Sequence, residues 1–195
     1  MKRKTPASKQ PTPKHAKKVF QGKIFSIYQW QQKLFNGSFA TFEKIGRSDT
    51  AMVLPVTGKG EIILSKQEQP VEGEFIGALG GVVDKGETPL KAAKRELLEE
   101  GGLKAEKWIL WDAVQLVNKI DWAVYTYIAK DIKKVADPSP DPGEKIKLMS
   151  VSFDEFIKIA AKPNFRDIEI ALKIFQAKEN KKEFAKLKSL FSIRS

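Results

Sequence analysis

Three glutamates fall within six consecutive residues at the middle of this chain, in the order Arg95-Glu96-Leu97-Leu98-Glu99-Glu100. On a helix, Glu96 lies three residues from Glu99 and four from Glu100, so the three carboxylates share one face or its edge. Like charges at these spacings destabilise an isolated helix by roughly 0.2–0.5 kcal/mol per pair. A hard divalent cation removes that penalty, because it prefers carboxylate oxygens together with water and substrate phosphates. Other chemistry is scarce. There is no cysteine, and the single histidine, His15, sits in a Pro/Lys-rich stretch. Thiol nucleophiles, disulfide frameworks, thiolate zinc sites and Fe–S clusters are therefore excluded, and a Ser–His–Asp arrangement is disfavoured. Catalysis is left to carboxylates, lysines, arginines, hydroxyls or a metal held by oxygen.

The elements that must position these acids can be read around them. Thr88 suits an N-cap, Pro89 the first helical position, and Gly101-Gly102 a stop. Leu90, Ala93 and Leu97 give the helix an apolar side to dock on a sheet. Upstream, Gly80-Gly81 permit positive φ or close backbone approach where a glycine-rich stretch, Gly77–Gly81, must come near the acids. Alternation predicts strands over 19–30 and 38–46, joined at Asn36-Gly37, and over 51–57 and 61–67, joined at Gly58-Lys59-Gly60. Further strands are predicted at 106–118, 121–130 and 145–152, and helices at 153–161, 166–177 and 180–191. Strands on both sides of one central helix, with helices at the end, predict an α+β fold with a sandwiched sheet.

Charge sharpens the functional classes. Lys and Arg number 35 against 24 Asp and Glu, a net charge of +11. Seven basic residues and no acid in 1–18, with six against two acids in 178–195, account for all of it. The stretch between is neutral, whereas a nucleic-acid-binding domain is basic on its folded surface. Nucleic acid is expected to meet this protein at most weakly, through the tails. No apolar run reaches the length of a membrane span, and the first residues lack the apolar core of a secretory signal. A cytoplasmic location is the expectation.

Gly81, five residues, Glu87, seven residues, then Arg95-Glu96-Leu97-x-Glu99-Glu100-x-Gly102-Leu103 resembles the Nudix box at every defined position. The resemblance implies an α/β/α sandwich around a mixed central sheet, with a loop–helix–loop that binds Mg²⁺ or Mn²⁺. It implies hydrolysis of a nucleoside diphosphate linked to another moiety. Carried over by position, Glu96, Glu99 and Glu100 would be metal ligands, with the Gly80 carbonyl as a further one. Arg95 and Glu87 would brace the box by a salt bridge, and Gly81 and Gly102 would complete its frame.

Beyond the box, the chain is similar over residues 20–178 to the ADP-ribose and nucleoside-diphosphate-sugar pyrophosphatases. A β-rich N-terminal segment and Gly46-Arg47 leading into Ala51–Pro55 carry that likeness. Prolines among lysines and polar residues make residues 1–18 read as a disordered basic tail, and the likeness implies 19–178 as the hydrolase domain, with its N-terminal β segment at 19–47. Residues 179–195 would be a basic helix or tail. A homodimer is implied, as is an acid on a late loop: Asp141-Pro-Gly-Glu144 resembles that loop, and Glu144 would hold metal or act on water. The general base would be Glu99 or Glu144. Arg47 would hold phosphates, and Trp30, Tyr28 or Trp122 would stack a base. Two departures stand out. The strand before the box reads Lys66-Gln67-Glu68-Gln69-Pro70, without the arginine usual there. The proline that many ADP-ribose enzymes carry after the box is replaced by the run Val117-Asn118-Lys119-Ile120. A nucleoside triphosphate pyrophosphohydrolase and a non-catalytic Nudix-fold nucleotide- or RNA-binding module stay open as alternatives.

Overall fold

The computed structural model describes Pro6, residues 11–140 and residues 142–192. Half of the expected basic tail (residues 1–5 and 7–10), Asp141 of the late loop and the last three residues lie outside the described residues. In chain order the strands before the central helix are β1 (Lys17–Gln21), β2 (Ser26–Lys33), β3 (Phe39–Gly46) and β4 (Thr50–Pro55), then β5 (Ile62–Gln69), β6 (Gly73–Gly77) and β7 (Leu79–Val82). Helix α1 (Pro89–Gly101) is followed by β8 (Leu103–Val114), β9 (Ile120–Asp121), β10 (Val124–Lys134) and β11 (Lys145–Val151). Helices α2 (Phe153–Ala160), α3 (Ile168–Lys178) and α4 (Lys181–Leu190) close the chain.

A mixed sheet in the order β7-β4-β10-β8 forms the centre. Its β4–β10 pair is parallel, and the β7–β4 and β10–β8 pairs are antiparallel. The alternation of β4 and β10 sends successive side chains to opposite faces. Ala51, Val53, Tyr125, Tyr127 and Ala129 pack in the clusters that hold α1 through Ala92, Ala93 and Leu97. Leu54 and Ile128 pack on the other side with Phe156, Ile170, Ile174 and Leu187 of α2, α3 and α4. The result is the expected α/β/α sandwich. A second sheet, β11-β5-β6, continues the second layer, and Val56 bridges Ile62 where the chain turns between β4 and β5. The N-terminal sheet, β1-β2-β3-β9, is tied to the rest where β3 runs parallel to β9. No helix among the described residues is long and apolar enough to cross a membrane.

The structure departs from the sequence expectations in three places. Where one strand is predicted over 19–30, a turn at residues 22–25 separates β1 from β2, which fold back antiparallel. The first strand opens at Lys17, inside the stretch expected to be tail. The glycine-rich stretch is no loop: Gly73–Gly77 pairs with β5, and Leu79–Val82 pairs with β4. Glycine has little strand propensity of its own, so both pairings are imposed by the neighbouring strands.

Candidate active site

The acid-bearing helix is fixed at both ends as its sequence predicts. Thr88 Oγ1 accepts from the Lys91 N–H at 3.3 Å, Pro89 opens the helix, and Gly102 caps it in the left-handed region at φ 63°. Arg95 is the hub of the box. Its guanidinium donates to the Val82 carbonyl at 2.8 Å, Glu96 at 2.7 Å, Glu99 at 3.0 Å and Glu87 at 3.2 Å. One side chain thus ties the loop after β7, the helix start and two acids together. Burial works against the cation, but the hydrogen bonds and charges of Glu87, Glu96 and Glu99 outweigh it and raise its pKa.

The acids are graded in exposure rather than displayed on one open face. Glu99 is 46% exposed, Glu96 12% and Glu100 4%. Glu100 therefore sits beneath the helix, a correction to the simple division into apolar side and acid side. Its Oε2 accepts the Gly80 N–H at 2.9 Å, and Gln67 Nε2 stands 3.5 Å from Oε1. Gly80 takes φ 150°, and a side chain there would run into the backbone of Ala51 and Met52. At Gly81 a Cβ would strike the Glu96 carboxylate. Both glycines thus answer steric demands created by the acids and by β4.

Glu144 lies immediately before β11 and lines a cleft whose wall includes Gly80 and Gly81. This acid, expected on a late loop, is held at the entrance to β11. Gln69, at the end of β5, donates to Glu144 Oε1 at 2.9 Å, and Lys145 is already in register with Glu68. Burial, and after it the charges of Glu96, Glu144 and Asp167, push the Glu100 carboxyl up to about 8, although the Gly80 hydrogen bond pulls the other way. Glu96 is also raised, chiefly by burial, with Glu99 and Glu144 adding to it against Arg95. Negative charge is concentrated here beyond what one guanidinium offsets.

The remaining walls of the cleft, about 320 Å³ in volume, include Arg47, Gln67, Gln69, Phe75, Trp122, Arg166 and Asp167. That volume suits a small-molecule ligand. Arg47 lies over the Trp122 ring at 4.7 Å, and Trp122 Nε1 donates to Thr50 Oγ1 at 2.9 Å. Trp122 and Arg47 thus share the cleft with Glu144. Trp30 does not: within this chain it is buried in the N-terminal sheet against Phe42, with Nε1 donating to Gln32. Tyr28 belongs to that sheet as well and does not line the cleft. Sequence reasoning missed Gln67, Gln69, Phe75, Arg166 and Asp167. The two glutamines are two residues apart on β5, a spacing that places them on one face. Asp167 gives no such signal: its carboxylate is buried and accepts the Ala78 N–H at 2.6 Å, which leaves no room for a side chain at Gly77.

Among the described residues no three acids or imidazoles close around one point as a ready-made cage. That suits Mg²⁺ and similar ions, which bind through one or two carboxylates and complete their shell with water and substrate phosphates. Glu96 and Glu100, with Glu144 near enough for its charge to act on both, are the residues whose chemistry fits such an ion.

The NUDIX domain family model matches residues 46–171. The chain belongs to the Nudix family. Members of that family generally use divalent metals, in keeping with the donor set just described. This Nudix chain is 29% identical over 159 residues to the ADP-ribose pyrophosphatase of Bacillus subtilis (strain 168), covering 80% of this chain and 86% of the relative. It is 25% identical over 167 residues to the methanol dehydrogenase activator of Bacillus methanolicus, covering 83% and 90%. A solved ADP compounds hydrolase shares the Nudix fold, with a TM-score of 0.71 at 20% identity over 90% of this chain and 96% of that one. The chain is thus a Nudix pyrophosphatase of the hydrolase class, similar to the ADP-ribose pyrophosphatase branch.

Proposed function

We propose that this enzyme hydrolyses ADP-ribose or a related nucleotide sugar to a nucleoside monophosphate and a sugar phosphate, with Mg²⁺ or Mn²⁺. The observation that carries the reading is that Glu144 and Arg47 share a cleft walled by Gly80 and Gly81, the two glycines packed against Glu100 and Glu96, and that the charge of Glu144 acts on both of those acids. The likeness to the Bacillus subtilis ADP-ribose pyrophosphatase supports the choice of substrate. A divalent cation bound there neutralises the diphosphate and lowers the pKa of water. Glu96 and Glu100 hold the cation, with Glu99 and the Gly80 carbonyl as further ligands. Arg95 keeps Glu96 and Glu99 in place. Glu144 takes the proton as water attacks one phosphorus; the bridging P–O bond breaks and the other phosphate leaves. Trp122 stacks against the nucleotide. A homodimer in the cytoplasm completes the proposal, with the N-terminal sheet as the contact between copies.

Turnover of a panel of nucleoside diphosphate sugars and nucleoside triphosphates, with Mg²⁺ and with Mn²⁺, tests the assignment. The expected products from ADP-ribose are AMP and ribose phosphate. Faster release of pyrophosphate from a nucleoside triphosphate would overturn the substrate class. Glu100→Gln should all but abolish turnover, with partial rescue by excess metal. Glu144→Gln should lower kcat by about 10²-fold, the scale of a positioned general base, with little change in metal dependence.

A further inference from the structure

Arg166 is an arginine that the box does not explain. It sits in the turn between α2 and α3, yet it lines the same cleft as Glu144 and Arg47. The turn is stitched to the sheet with unusual care. The Ile76 N–H donates to the Asn164 carbonyl at 2.9 Å, and the Arg166 N–H donates to the Ile76 carbonyl at 2.9 Å. These two bonds make a parallel bridge of Phe165 to Ile76 along the free edge of β6. One residue later, Asp167 accepts the Ala78 N–H. The backbone at 166 is thereby registered against β6 and the start of β7, and the guanidinium is laid 4.5 Å from the Phe75 ring.

Opposite stands Arg47. Among the described residues no carboxylate pairs with it, and its Nε is buried without a hydrogen-bond partner. A buried donor left without a partner is costly, and a cleft that keeps one is built for an acceptor that arrives from outside. Burial, and then the like charge of Arg166, depress the Arg47 guanidinium below its ordinary value. Two cations that repel each other, each resting on an aromatic ring, line a cleft that also holds Glu144. Among the described residues the carboxylate in ion-pair reach of Arg166 is Glu72, at 3.6 Å on the exposed turn between β5 and β6. That is a long, half-exposed pair of the kind worth little.

We propose that Arg166 and Arg47 form a two-point clamp on the diphosphate of the substrate, with Glu72 as the weak partner that Arg166 gives up when the anion enters. The clamp rests on the diphosphate reading above and adds to it a substrate-positioning residue delivered by the α2–α3 turn. A guanidinium suits the task because its fork of donors matches phosphate oxygens. The acids and the clamp then divide the work. The acids would hold the cation, and the arginines fix the diphosphate.

The test uses the full chain and two readouts: KM and kcat on ADP-ribose with Mg²⁺, and calorimetric binding of inorganic pyrophosphate with Mg²⁺. Arg166→Gln should raise KM and weaken pyrophosphate binding about tenfold or more, the order expected of a charge-assisted contact. Arg166→Lys should recover part of the loss. Glu72→Gln should bind pyrophosphate at least as tightly as wild type, because it only removes a competitor. A merely structural role for Arg166 predicts the opposite, with Glu72→Gln weakening binding as much as Arg166→Gln. That result, or wild-type KM and binding in Arg166→Gln, overturns the clamp while leaving hydrolysis standing. A wild-type enzyme that neither binds pyrophosphate nor cleaves ADP-ribose overturns the diphosphate reading and the clamp together. Thermal melts of each variant separate loss of binding from loss of fold, and Arg166→Lys keeps the test open if Arg166→Gln melts early.

Discussion

At the scale of single residues, the two adjacent glycines of β7 differ in what a methyl group would meet. At Gly80 it meets main chain, Ala51 and Met52, in a backbone conformation that L side chains rarely adopt. Main chain in a central strand cannot yield, so Gly80→Ala should lower stability severely, by several kcal/mol on the scale of overpacking plus strain. At Gly81 the methyl meets the far end of Glu96. A carboxylate on a flexible stem can swing away, so Gly81→Ala should fold with only a small change in Tm. The displaced Glu96 loses its place on Arg95, and turnover should fall by about tenfold or more, a barrier change near 1.4 kcal/mol. Thermal melts and steady-state rates on both variants check the contrast. Equal damage to stability in the two would show that Glu96 is held too tightly to move.

At the scale of elements, the joint between α2 and α3 carries a proton as well as an arginine. Asp167 precedes α3 without capping it, and burial raises its carboxyl from 3.8 to about 7, with Glu169 adding to the rise against Ala78 and Arg166. Between about 4 and 7 the folded chain keeps a proton that the unfolded chain has released. Stability from this group therefore falls as pH climbs through that window and levels off above about 7. Asp167→Asn imitates the protonated form and keeps an acceptor for Ala78. Its Tm should decline less than that of wild type between pH 4.5 and 7, and the two curves should run parallel above. Identical slopes would mean that the buried carboxyl is already ionised at low pH. This joint also shows what the sequence left hidden. The ends of α1 were legible because Thr88-Pro89 and Gly101-Gly102 are local signals, and the acid triplet came with them. Arg166 and Asp167 were not, because their places depend on a bridge to Ile76, far earlier in the chain. The strands at Gly73–Gly77 and Leu79–Val82 were hidden for a related reason: their pairing comes from β5 and β4, against the grain of their own residues. The break at residues 22–25 was masked by alternation that runs straight through it.

At the scale of the whole molecule, the positive charge and the cleft occupy different parts of the chain. Deleting residues 1–10 removes Lys2, Arg3, Lys4 and Lys9 and should leave kcat on ADP-ribose unchanged. Any affinity for single-stranded RNA should fall, and its dependence on salt should flatten by about 0.7 in log–log slope for each phosphate that is no longer neutralised. Loss of activity on the small substrate would place the N-terminus at the cleft. The sandwich itself hangs on a narrower support. Strand β4 alternates between two layers, giving Ala51 and Val53 to the acid helix and Leu54 to the three closing helices. An insertion of one residue within it would exchange the two sets, turning small side chains toward a layer that needs large ones, and large toward small. Descendants of this chain can therefore drift in length at the Gly58–Gly60 turn or between 137 and 143. The six residues of β4 must be inherited as a block, open to substitution but closed to any change in number.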